Sequence, residues 1–264
     1  MTKQDYDNFS KDYDRFVNWE ERLSAEMPFI MEQLVTIPTD TDHPLRVLDS
    51  ACGTGMHAIA LAEEGNLVSA ADISSEMIKK AQENAQLAHI NVDFKPAGFG
   101  DLAHSFISPD QPKFDALFCL GNSLPHLLSE NALQTALDDM AACLRPGGLL
   151  LLQNRNFDAV MMEHNRWQGI QSHQEDASEW LFVRFYDFDP DGLITFNIIH
   201  LQKHGSDAWH QEISTTRLFP LTQDILLPLL ENAGFGAISS YGKMGPEPFD
   251  PQKSGNLVVT ATRI

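Results

Sequence analysis

The sequence predicts an α/β protein built on a doubly wound, mostly parallel sheet of seven strands, with an antiparallel β lid inserted after the fifth. Three observations predict it. Short apolar runs alternate with amphipathic ones from Arg46 to Gln153, as strands alternate with helices when each crossover returns to a parallel neighbour. The run Arg46-Val47-Leu48-Asp49-Ser50-Ala51-Cys52-Gly53-Thr54-Gly55 is an apolar strand, an acid and a glycine pair, the layout of a tight loop between strand and helix beneath a ligand. Beyond Asp158 the apolar period becomes two, the mark of half-buried antiparallel strands.

Each element has its own signal. Tyr13, Phe16, Trp19, Leu23, Met27, Phe29, Ile30 and Leu34 recur mostly at spacings of three and four, so residues 10–36 read as a helical lead-in. A loop rich in Thr, Asp and Pro follows, then strand 46–49 and helix 56–64. Strand 66–72 ends on Asp72, and a Ser-Ser-Glu cap opens helix 74–87. Strand 92–94 leads to a turn at 97–101. Residues 114–120 are almost wholly apolar, as a strand at the centre of a sheet should be, and Gly121-Asn122 ends them. Helix 131–144 is stopped by Arg145-Pro146-Gly147-Gly148 before strand 149–153. Within residues 160–220, three strands are expected at 180–186, 193–200 and 210–219, the first two joined by Asp189-Pro190-Asp191-Gly192. Helix 221–233 and strands 237–241 and 257–262 close the fold. The expected division is a helical cap over the ligand site (1–44), a Rossmann-like core (45–158 and 221–264) and a substrate lid (159–220).

Composition narrows the function. At 264 residues and 43% hydrophobic, the chain can bury a full core. Its formal net charge of −19 repels phosphate backbones and anionic membranes, so neither nucleic acid nor membrane is an expected partner. The first ten residues lack the basic-then-apolar order of an export signal, and no apolar run approaches the ~18 residues of a membrane span. Three cysteines without CxxC spacing read as reduced, buried thiols, and the expected location is cytoplasmic. Ten histidines include no HxH or HExxH arrangement, so no metal is expected.

The glycine loop identifies the ligand. A dinucleotide site needs bare amides for a pyrophosphate and usually carries a third glycine, yet that position is Ala58 and a carboxylate, Asp49, ends the strand. A carboxylate repels phosphate and suits a ligand bearing ammonium and sulfonium charges, which S-adenosylmethionine is. Asp72 follows Asp49 by 23 positions, near the ~20-residue spacing of an acid that holds a ribose diol. The plainer alternative for each acid, a helix cap, does not account for both together with the glycine pair.

The run from Leu48 to Gly55, with Asp72, resembles the class I S-adenosylmethionine-dependent methyltransferases. Two further runs resemble the glycine and sarcosine N-methyltransferases: Cys119-Leu120-Gly121-Asn122-Ser123-Leu124-Pro125-His126-Leu127, and Leu144-Arg145-Pro146-Gly147-Gly148 continuing to Asn154-Arg155-Asn156-Phe157-Asp158. The resemblance implies roles for matching positions. Asp49, Ala51, Gly53 and Gly55 would carry the methionine end of the cofactor. Asp72 would take the ribose hydroxyls, with Ile73 and Met77 beside it, and Gly98 and Phe99 would face the adenine. Leu120 and His126 would also contact the cofactor. Asn122 and Arg155 would hold the acceptor's carboxylate, and with His126 they form the implied catalytic set. Arg22 would pair with the cofactor carboxylate, and Tyr13 and Trp19 would help close over it.

The chemistry these residue types allow agrees. Methyl transfer from a sulfonium needs an amine lone pair held in line, ~3–3.5 Å from the methyl carbon, and no strong base if the amine is neutral. Arg155 has the fork geometry of a carboxylate clamp, against the alternative of a surface ion pair. Tyr186 and Tyr241 are expected to pack, with the alternative that they face the pocket and polarise the amine; Phe16 and Phe29 are expected to pack. The function expected is N-methylation of glycine, sarcosine, dimethylglycine or a similar carboxylated amine, yielding S-adenosylhomocysteine. Methylation of an oxygen, thiol or metalloid, or cofactor binding without turnover, stays open, as does the choice between monomer and homo-oligomer.

Overall fold

The computed structural model describes residues 17–38, 43–110 and 112–264. Its first sheet is built as βαβ crossovers. Strands β1 (Arg46–Asp49), β2 (Leu67–Asp72), β3 (Asp93–Pro96), β4 (Phe114–Cys119) and β5 (Leu144–Arg155) run parallel, and β10 (Phe235–Tyr241) and β11 (Asn256–Arg263) complete seven. The order across the sheet is β10-β11-β5-β4-β1-β2-β3. Only β11 runs against its neighbours, pairing antiparallel with both β5 and β10. Because β1 pairs with β2 on one side and β4 on the other, the crossovers diverge from it. That is the switch point where a crevice opens beyond the strand C-termini.

Alternation along the strands divides the core between the two faces. Val47, Ala70, Phe118, Leu151 and Val258 point to the face covered by α1 (Trp19–Val35), α2 (Met56–Glu63) and α3 (Ser75–Ala88). Their neighbours Leu48, Ala71, Leu117, Leu150 and Val259 point to the face covered by α4 (Leu102–Phe106), α5 (Glu130–Cys143) and α7 (Gln223–Asn232). Period-two side-chain alternation accounts for this division, and burial on both faces explains why the central strands read as unbroken apolar runs. Helix starts follow local chemistry: the side chains of Ser74 and Ser129 accept the amides of Met77 and Ala132.

A second sheet, β6 (Gln171–Glu175), β7 (Ser178–Phe188), β8 (Ile194–His204) and β9 (His210–Leu218), is antiparallel in that order. Asp189-Pro190-Asp191-Gly192 turns β7 into β8: the Asp189 amide donates to Leu193 O at 3.0 Å, and Gly192 has φ 83°. α6 (Phe157–Glu163) leads into it, started by Asn156, whose side chain accepts the Ala159 amide at 3.1 Å.

The structure corrects several boundaries. β5 begins at Leu144, ahead of the Pro-Gly-Gly run, and passes through it as an irregular pairing opposite Phe114/Ala116. Gly147 adopts φ 78°, and Asp115 clamps the irregularity by accepting from Arg145 Nε at 2.6 Å and from the Arg46 amide at 2.8 Å. The short α4 and α6, strand β6 and a 3₁₀ turn at Leu124–His126 were not expected. Each is too short, or β6 too polar, to give a periodic signal. Among the described residues no helix is long and apolar enough to cross a membrane.

Candidate functional site

A cavity of about 610 Å³ lies at the C-terminal ends of β1 to β5, between α1 and the inner face of the second sheet. Its floor is the glycine loop. In that loop Ser50 N donates to Phe118 O, Cys52 N to Ala71 O and Gly55 N to Cys52 O, at 2.8 to 2.9 Å. Gly53 N donates to Asp72 Oδ2 at 2.9 Å, and Ala51 N reaches Asp49 Oδ1 at 3.4 Å. The loop amides therefore serve the protein, and the floor is no pyrophosphate cradle.

The two acids stand where the sequence places them. Asp72, at the end of β2, accepts from Gly53 N at Oδ2 and from Ser74 N at Oδ1, which fixes its carboxylate facing the cavity. Asp49 is 1% exposed and lines the same wall. Burial pushes its carboxyl up to about 7, with the Asp72 charge adding to the rise against the Ala51 bond. Such a wall favours a cationic ligand. Ala51, Gly53, Ile73, Met77, Gly98 and Phe99 line the cavity as expected. Gly55 does not. It caps α2 with φ 83°, and a Cβ there would sit 2.8 Å from Ala81 Cβ. This position needs glycine so that α2 can pack on α3.

At the far end of the cavity stand Leu120, Asn122, His126 and Arg155. Asn122 has φ 69°, a left-handed conformation that asparagine tolerates. Its amide donates to Gln153 O at 3.1 Å and its Oδ1 accepts the Arg155 amide at 2.9 Å. Asn122 thus straps the ends of β4 and β5 together beside Arg155. Burial drives the His126 pKa down to about 4, so its imidazole is neutral at pH 7. The lid supplies Arg184 and Phe196, which sequence reasoning missed, and Tyr186, for which packing was favoured over a place in the pocket. Arg184 and Tyr186, two apart on β7, share its inner face and line the cavity with Phe196 of β8. Tyr186 is 4% exposed; burial raises its pKa against the nearby Arg155 and Arg184 charges. It was expected to pack, whereas Tyr241 does pack, edge-on against Phe29 at 5.2 Å.

α1 closes the remaining side. Arg22 and Trp19, both expected there, are joined by Glu26 from α1 and by His57 from α2. Tyr13 and Phe16 lie outside the described residues. The i,i+4 spacing of Arg22 and Glu26 was legible, but nothing in the sequence pointed to His57 or Gln153 as their partners. The three cysteines are buried and free. Burial, with the Asp49 and Asp72 charges, raises the Cys52 thiol well above its ordinary value, so it stays protonated. Among the described residues no group of three or more His, Cys, Asp or Glu could hold a metal ion.

Comparison with known proteins agrees with this geometry. A methyltransferase domain family matches residues 47–148. The glycine/sarcosine N-methyltransferase of Aphanothece halophytica is 31% identical over 242 residues, covering 89% of this chain and 81% of the relative. That of Halorhodospira halochloris is 28% identical over 91% of this chain and 82% of its own length. An S-adenosylmethionine-dependent methyltransferase from Clostridium acetobutylicum shares the fold, with TM-score 0.75 and 15% identity over 98% of both chains. The chain belongs to the glycine/sarcosine N-methyltransferase family, among the S-adenosylmethionine-dependent methyltransferases.

Proposed function

We propose that the protein transfers a methyl group to the nitrogen of a small amino acid of the glycine or sarcosine kind, held by its carboxylate. The division of charge along the cavity carries this reading. Glu26, Asp49 and Asp72 line the cofactor end, and Arg155 and Arg184 line the acceptor end. S-adenosylmethionine supplies an activated methyl group on a sulfonium, and its departure leaves a neutral thioether.

The chain's own residues do the positioning. Asp72 would take the ribose hydroxyls, Asp49 would face the cationic end, and Gly98 and Phe99 would offer backbone and ring to the adenine. Arg22 takes the cofactor carboxylate. Arg155 forks onto the acceptor carboxylate, and Asn122 fixes Arg155 through its main chain. The two arginines disfavour a second cation nearby, so an amine entering as ammonium is pressed to give up its proton to water before reaction. Neutral His126 accepts a hydrogen bond there without acting as a strong base. No further general base is required for a displacement whose difficulty is orientation.

We assign residues 159–220 as the substrate lid, 1–44 as the cap and the remainder as the cofactor-binding core. The lid's inner residues, Tyr186 and Phe196, support that division. The buried thiols and the acidic surface support a cytoplasmic enzyme of small metabolites rather than of nucleic acid. A methylation assay read by mass spectrometry, with glycine, sarcosine, dimethylglycine and hydroxyl, thiol and metalloid acceptors, tests the reading. Product is expected on the amino acids. Turnover confined to the other acceptors would refute it.

A further inference from the structure

One carboxylate joins three elements around the cavity. Glu26 of α1 has a side chain only 12% exposed. Its Oε2 accepts from Arg22 Nε at 3.1 Å and meets His57 Nε2 of α2 at 2.7 Å; its Oε1 accepts from Gln153 Nε2 of β5 at 2.7 Å. Gln153 Oε1 in turn accepts Arg22 Nη2 and the Gly121 amide, both at 3.2 Å. The Gln153 carbonyl accepts the Asn122 amide, and Asn122 Oδ1 accepts the Arg155 amide. The path is unbroken from the helix after the glycine loop to the acceptor clamp. His57, 5% exposed, lies edge-on to Trp19 at 5.5 Å. Burial would raise the Glu26 carboxyl, yet the His57 and Gln153 bonds and the Arg22 charge hold it at about 2; burial keeps His57 below its ordinary value despite Glu26. Glu26 is therefore an anion at any working pH, and His57 is a neutral donor to it.

We propose that Glu26 is a positioning residue that couples the two halves of the site, setting Arg22 at the cofactor end and, through Gln153, the Asn122–Arg155 clamp at the acceptor end. The proposal rests on the site reading given above. A carboxylate suits this place because each partner is a donor, and fixed donors of different reach define one geometry for helix α1 over the strand ends. A displacement of about 1 Å between methyl donor and amine is enough to cost about 10²-fold in rate. Glu26 needs no contact with either ligand to exert that control.

The experiment measures initial rates of the full-length enzyme over a matrix of S-adenosylmethionine and acceptor concentrations, with thermal melts to confirm folding. Glu26→Gln keeps the volume and loses the charge. It is expected to raise both KM values and to lower kcat by about 10²-fold. Its loss and that of Arg155→Lys are expected to combine to less than their product, because both act on one clamp. Should Glu26→Gln fail to fold, the His57 pair decides: His57→Gln keeps a donor to Glu26 and is expected to retain the activity that His57→Leu loses. A rise confined to the cofactor KM, with kcat and acceptor KM unchanged, would overturn the coupling. So would equal activity in the two His57 variants, or Glu26 and Arg155 losses that multiply. A wild-type enzyme that binds S-adenosylmethionine by calorimetry yet methylates no amino acid would instead overturn the functional reading, and the acceptor half of the coupling with it.

Discussion

Lowering the pH should weaken cofactor binding, and the structure gives the size and sign of the effect. The responsible group is Asp49, whose carboxyl is buried and raised from 3.8 to about 7. That rise corresponds to about 4 kcal/mol against ionisation, at ~1.4 kcal/mol per tenfold change. A folded-state pKa above the unfolded one means that the fold favours the protonated form. The stability gained from this group is complete below the ordinary 3.8 and is lost as pH rises toward about 7. A cation bound in the cavity reverses the preference, because it favours the carboxylate. Below about 7 binding must then release a proton, and affinity should fall up to about tenfold per pH unit, roughly 15-fold between pH 7 and 5.5. Burial holds His57 below its ordinary value and His126 at about 4 and keeps the Cys52 thiol protonated, while the partners of Glu26 hold it at about 2. Calorimetric titration with S-adenosylmethionine, in buffers of different ionisation enthalpy, reads the proton directly. Asp49→Asn should abolish the proton release and the pH slope. Equal affinity at pH 5.5 and 8 with no proton released would refute the assignment of Asp49 to the cationic end of the cofactor.

Three further outcomes are expected. Arg155→Lys should raise the acceptor KM about 10-fold to 10²-fold, the loss of ~1.5–3 kcal/mol for a charge-assisted bond, with cofactor affinity by calorimetry nearly unchanged. Tyr186→Phe removes a buried hydroxyl beside the Arg155 and Arg184 charges; steady-state kinetics should show kcat/KM for the acceptor falling about 5-fold, as for ~1 kcal/mol of lost polar interaction. Gly55→Ala should destabilise by about 2–5 kcal/mol in denaturant titration, adding the left-handed penalty to overpacking against α3. An unchanged unfolding midpoint would refute the packing role given to Gly55.

Local patterns carried far because they report forces that act locally. An apolar run too long for one face placed β4 at the sheet centre, and Ser74 showed where α3 begins. The acid, the two glycines and the second acid located one end of the cavity, since a tight βα loop can be built in few ways. Gly55 shows the limit. It was legible as glycine but not as a packing position, because Ala81 and Phe94 approach it only in the folded core.

By itself, then, the sequence determined the order of the longer strands and helices, the two aspartates at the strand ends and the family. The tertiary structure alone decided how the cavity is closed. Arg184 and Tyr186 read as ordinary members of a half-buried strand until β7 is folded over the site. Glu26, His57 and Gln153 are 31 and 127 positions apart in the two bonds that Glu26 makes to them, and no local pattern encodes such a meeting. Side-chain period and turn chemistry depend on neighbours within a few residues. A charge network across three elements depends on how those elements pack, and only the assembled fold specifies that.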